Sequence, residues 1–116
     1  MGIKVIRTLS ATMFLGIVAY TLTTVALFGV DLVTPFFTDL VSLSWPGQFN
    51  FDFSLYLILS TLWYVWRNGF TQHSLMTAPV ILIGGMCALS AYWFWLSYRV
   101  QGRIDVLLMG QTRATQ

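Results

Sequence analysis

Residues 8–30 read TLSATMFLGIVAYTLTTVALFGV, a run of 23 without a charge, preceded by Lys4 and Arg7 and followed by Asp31. At 1.5 Å per residue such a helix reaches about 34 Å, enough to cross a hydrocarbon core of about 30 Å with some tilt. The run exceeds the roughly 7–15 apolar residues of a secretory signal and lacks a small-residue cleavage site, so it reads as a retained transmembrane helix. The whole chain agrees, being 57% hydrophobic and 9% charged, with no glutamate and a mean hydropathy of +0.74. An average soluble domain carries about 25% charged residues, so a small soluble domain is excluded. One bundle is all that 116 residues allow, because about four spans with their loops would exhaust them.

Beyond Asp31 the pattern changes. Over residues 35–45, Phe36, Phe37, Leu40, Val41 and Leu43 share one helical face and Thr38, Asp39 and Ser42 the other, as in a short amphipathic helix lying in the interface. Thr34 offers an N-cap with Pro35 in the first helical position, and Pro46-Gly47 offers a stop. The next apolar segment, 47–66, carries Asn50 and Asp52 in its first turns, which leaves 14 uncharged residues from Phe53 to Trp66. Both a span and a re-entrant segment are open; a span is favoured, because Asp52 suits a helix N-terminus and Trp45, Trp63, Trp66 and Arg67 suit the two interfaces.

The third apolar segment, 77–98, runs from just before Pro79 to Tyr98 and is closed by Arg99. The expectation is therefore an all-α membrane bundle of three transmembrane helices, about 8–30, 47–66 and 77–98, with an interfacial helix about 35–45 and a polar tail, 99–116. Lys4 and Arg7 before the first span, with acids after it, place the N-terminus in the cytoplasm. Three spans nevertheless leave the six Lys and Arg divided three and three across the membrane, and the rule then collides with itself.

Few residues offer chemistry. No nucleotide, phosphate, protease or metal motif is present, and one histidine with one distant cysteine, Cys87, cannot build a zinc or iron site from a single chain. No run of like charges marks a nucleic-acid surface. His73, in a polar turn, reads as solvated, with an axial ligand to haem or to a chlorophyll-type pigment as the functional alternative. Trp66-Arg67 and the face of Tyr92, Trp95 and Arg99 suit a lipid headgroup or a quinone ring, although an aromatic belt explains the same residues.

Two stripes of small residues stand out: Gly16, Ala19 and Thr23, flanked by Thr12 and Ala26, and Gly84, Ala88 and Ala91. Small residues let helix backbones approach closely, so these stripes are expected to pack on each other. The tail from Gln111 has little apolar surface with which to order itself. Arg99, Arg103 and Arg113, with Leu107 and Leu108, are therefore expected to dock on a partner chain.

The run Trp45-Pro46-Gly47-Gln48-Phe49-Asn50-Phe51-Asp52, then Leu62-Trp63, Trp66-Arg67, Gly84, Tyr92, Leu107-Leu108 and Gly110, resembles small bacterial membrane proteins grouped only under a domain of unknown function. The resemblance covers residues 35–110 and implies a bacterial inner-membrane address and no activity. The expected function is a non-enzymatic accessory or interaction subunit whose partners are other membrane subunits and lipids. The alternative is a quinone-, lipid- or pigment-binding protein, homo-oligomeric in one form, with His73, Trp95 and Arg99 at its site.

Overall fold

The computed structural model describes residues 2–114; Met1, Thr115 and Gln116, the last two being the end of the polar tail, lie outside them. The described residues form helices α1 (Ile3–Phe28), α2 (Val33–Ser42), α3 (Trp45–Arg67), α4 (Gln72–Arg99), α5 (Ile104–Met109) and α6 (Gln111–Ala114), with no strand among them. α1 and α4 are long and apolar enough to cross a membrane. α3 is 23 residues long but opens on Gln48, Asn50 and Asp52, and does not reach that hydropathy.

Local signals place the ends, with two shifts from expectation. α2 begins at Val33, one residue before Thr34, and the cap is supplied by Asp31, whose Oδ1 accepts the Thr34 N–H at 3.1 Å. Pro46 does not stop a helix. It lies in the first turn of α3, where its missing N–H costs no hydrogen bond. The α2–α3 corner is tight: a Cβ on Gly47 would strike the Asp39 carbonyl oxygen, and Asn50 Nδ2 donates to the Phe36 carbonyl at 3.2 Å.

The third apolar segment, read above as one span over 77–98, is not a straight rod. α4 breaks at Gly85 (φ 57, ψ −137), backbone angles that strain any residue carrying a Cβ. Along a straight helix Thr77 and Tyr92 would stand about 22 Å apart. Instead Tyr64 of α3 reaches both, its hydroxyl 2.6 Å from Thr77 Oγ1 and its ring 5.1 Å from the Tyr92 ring. His73 and Arg99, about 39 Å apart on a straight helix, line one groove. The helix therefore doubles back at Gly85 into two arms, 72–84 and 86–99, each about 20 Å long. The tip is buried on α3, where an added Cβ would lie 3.2 Å from Phe53 Cζ and 3.4 Å from Leu57 Cδ2. Phe53 and Leu57 are near the middle of α3, so the hairpin reaches about halfway along it.

α1 runs antiparallel to the second arm of α4. Ile6 and Ser10 are buried on α1, and Ser90, Leu96 and Ser97 on α4. The small side chains at this contact are serines, with the Ser90 and Ser97 hydroxyls turned back onto the Met86 and Phe94 carbonyls at 2.5 and 2.6 Å. The expected meeting of the glycine and alanine stripes does not occur. A Cβ on Gly16 would find nothing within 4 Å, and Ala19, Thr23, Gly84 and Ala91 are exposed, while Ala88 is half-buried against the Tyr64–Val65–Ile81 cluster. The bend is the reason: α4 turns away after Met86, and α1 is exposed on every side from Ala19 to Phe28.

The tail is held by its own chain. Leu107 is 0% exposed and Val106 is buried beside it, in a cluster with Ile6, Leu96 and Val100. Leu107 is therefore a core residue and not a surface for a partner, which corrects the docking role expected of it; Leu108 stays exposed.

Candidate functional site

The end of the molecule where α1 begins, α3 ends and α4 both starts and finishes gathers the cations. Arg7 donates from Nε to Ser97 Oγ at 3.1 Å and from Nη2 to the Ser97 carbonyl at 2.9 Å, with its guanidinium 3.7 Å from the Tyr98 ring centre. Arg67 is the last residue of α3, and its planar fork reaches α5 and α4 together. Nε donates to the Leu107 carbonyl at 2.7 Å, Nη2 to the Val106 carbonyl at 3.2 Å and Nη1 to the Tyr92 hydroxyl at 3.1 Å. Trp63 Nε1 donates to the next carbonyl, Leu108, at 3.0 Å. The carbonyls that a helix C-terminus leaves unpaired are thus met from α3. Gly110 passes so close to α3 that a Cβ there would lie 2.7 Å from the Arg67 carbonyl oxygen.

Arg103 pairs with Asp105 and holds that carboxyl below its ordinary range. Arg113 donates to the Trp66 carbonyl and covers the Trp66 ring at 4.3 Å. Both of these arginines, expected to dock on a partner, are engaged within the chain. Arg99 differs: its guanidinium lies 5.2 Å from the Trp95 ring centre, and it is exposed, with no hydrogen-bond acceptor among the described residues. Lys4 lies on the first turn of α1 at the same end. All six Lys and Arg, with His73, therefore occupy this end. Asp31 and Asp39 occupy the other, where the Thr34 backbone N–H lowers the Asp31 pKa, and Asp52 stands next to Phe53 in the first half of α3.

The structure brings the three residues singled out for ligand binding to one place. His73, Trp95 and Arg99 line a groove of about 330 Å³ together with Tyr64, Arg67, Asn68 and Tyr92. Its wall is a run of aromatic contacts: Tyr64 against Tyr92, then Tyr92 stacked on Trp95 at 6.0 Å with the planes 24° apart. Asn68 braces the wall, donating to the Tyr64 carbonyl at 2.8 Å and to the Tyr92 hydroxyl at 3.2 Å. Asn68 and Tyr64 were not singled out from the sequence; the adjacency of Asn68 to Arg67 at a helix end was the one available signal. A second groove, about 410 Å³ and almost wholly apolar, lies between α1 and the second arm of α4, and includes Met13, Met86, Trp93 and Leu108. Trp93 Nε1 is buried there with no hydrogen-bond partner among the described residues.

Among the described residues no three His, Cys, Asp or Glu side chains cluster. No family model, curated protein or solved structure matches the chain.

Proposed function

We propose that this is a non-enzymatic integral membrane protein of the bacterial inner membrane, an accessory or interaction subunit of a larger membrane complex. In this reading α1 and α3 cross the bilayer, α2 lies in the outer interface, and α4 is a re-entrant hairpin that enters from the cytoplasmic side and returns to it. The separation of charge carries the reading. Three full spans would divide the cations evenly, whereas two spans and a hairpin place all six Lys and Arg in the cytoplasm, as the positive-inside rule favours. The non-helical backbone at Gly85 is compatible with membrane depth because it is buried against Phe53 and Leu57. The interaction role is supported by the bare outer halves of α1 and α3, where Tyr20, Leu27, Phe28 and Phe49 are all more than half exposed.

Single cysteines at Ser42, Gln72 and Thr112, in a Cys87→Ser background, test the topology with an impermeant thiol reagent. Ser42 is expected to label on intact cells, and the other two only after lysis. Labelling of Thr112 from outside would restore three spans and sink the hairpin reading. Native mass spectrometry of gently purified protein tests the subunit role, which a chain found without any other protein would remove. A second reading, a binding protein for a lipid, quinone or pigment, is supported by the meeting of His73, Trp95 and Arg99 in one groove.

A further inference from the structure

We infer that the groove at the open end of the α4 hairpin holds the phosphate of an anionic membrane phospholipid, with Arg99 as the pairing cation; this rests on the second reading above. Arg67, His73 and Arg99 line the groove, and no acidic side chain is among the described residues that do. The acid at this end of the molecule, Asp105, is already paired with Arg103. An anion entering the groove therefore meets no acidic side chain among the described residues.

The two groove arginines do different work. Arg67 spends its three donor nitrogens on Leu107, Val106 and Tyr92, which fixes the wall and leaves it positive. Among the described residues Arg99 has no acceptor, and it lies over Trp95, itself stacked on Tyr92. The ring contact steadies the guanidinium while its N–H groups meet no acceptor among the described residues, and a planar fork so presented can bind phosphate through two parallel bonds. Depth agrees as well. Trp95 in the groove wall is 53% exposed, and Tyr98, one turn further along α4, is 59% exposed, as interfacial anchors at headgroup level would be, and a phosphodiester lies at that level in a bilayer.

Charge also separates anionic from zwitterionic lipids. A choline headgroup would bring a cation into a groove that has two guanidinium groups and, among its described residues, no acidic side chain to receive it. A glycerol headgroup brings none. The occupant that fits is a lipid of the phosphatidylglycerol type.

The test uses the whole chain in mild detergent, titrated with phosphatidylglycerol or phosphatidylcholine, with bound lipids counted by native mass spectrometry. One phosphatidylglycerol per chain is expected, preferred by about tenfold, the scale of one charge-assisted pair. Arg99→Gln should abolish the preference and Arg99→Lys, which keeps the charge but not the fork, should halve it or more. Arg103→Gln, outside the groove, should leave it intact. Because Arg99 is exposed and lies over the Trp95 ring, melting curves of the Arg99 variants are expected to match the wild type. If either Arg99 variant melts early, Trp95→Phe, which keeps a ring beneath the guanidinium, should preserve the preference.

Equal retention of both lipids, or a preference untouched by Arg99→Gln, would overturn the inference. So would displacement of the lipid by inorganic phosphate at equal concentration, which marks a site for free anions. A ubiquinone analogue that binds and loses affinity in Trp95→Ala, with no lipid preference, overturns the phosphate assignment and leaves the second reading standing. Failure of both ligands to bind removes both.

Discussion

Gly85→Ala is the substitution that best interrogates the fold. Gly85 holds φ 57 and ψ −137 inside α4, and a residue with a Cβ pays about 1–3 kcal/mol for such a conformation. The new methyl would also lie 3.2 Å from Phe53 Cζ, so the ring must give by a few tenths of an ångström. The expected loss is about 2–3 kcal/mol, read as an earlier midpoint when the purified protein is titrated with a denaturing detergent. Gly16→Ala is the control, since nothing lies within 4 Å of its Cβ; it should leave the midpoint unchanged or move it slightly later. The same reasoning predicts a distance. Spin labels at Leu75→Cys and Arg99→Cys, in a Cys87→Ser background, would be about 36 Å apart on a straight helix and well under half of that on the doubled one. A label distance near the straight-helix value, or equal midpoints for the two glycine variants, would refute the hairpin.

Three further outcomes follow from the packing. Gly16→Leu should be tolerated because the stripe around it faces no helix, whereas Gly47→Ala, whose Cβ meets the Asp39 carbonyl oxygen, should cost about 2 kcal/mol or more; thermal melts in detergent compare the two. Arg67→Ala removes donors to two α5 carbonyls and to Tyr92, and should cost about 2–4 kcal/mol and speed trypsin cleavage after Arg103, with no rescue by Arg67→Lys because an ammonium lacks the fork. Asp105 is held below the usual carboxylate range by Arg103, so its contribution is complete above about pH 4 and fades as the pH falls through the lowered native value. Trypsin is inactive there, so pepsin cleavage should rise at the α5 start between about pH 4 and 2 in the wild type, and stay flat in Asp105→Asn.

The first helix was legible because 23 consecutive uncharged residues admit few other readings. The fold of α4 was not. Gly84-Gly85 inside a run of Val, Ile, Leu and Ala looks like a place for close packing, and only the tie in Lys and Arg across three spans spoke against three straight helices. That tie is a global constraint, and local pattern reading has no way to trace it to Gly85. The same bend explains the site. His73, Trp95 and Arg99 were each visible as residue types, but His73 is separated from the other two by the whole helix, so their shared groove depends on the turn between them. Leu107 and Arg113 misled for a related reason: an amphipathic tail looks equally suited to a partner and to its own bundle, and the deciding donors, Trp63 and Arg67, lie some forty residues upstream.

A hairpin that stops halfway gives the molecule a taper. In the topology proposed above, four helical rods would fill the cytoplasmic half of the hydrocarbon core, α1, α3 and the two arms of α4, and only two would fill the other half. With rods about 10 Å across, the difference is about 160 Å² per copy, an area that lipid tails or a neighbour must fill beneath α2. Single copies would barely disturb a membrane. Many copies side by side would expand one leaflet relative to the other and bow the sheet toward the cytoplasm, so the sense of curvature follows from one glycine in α4.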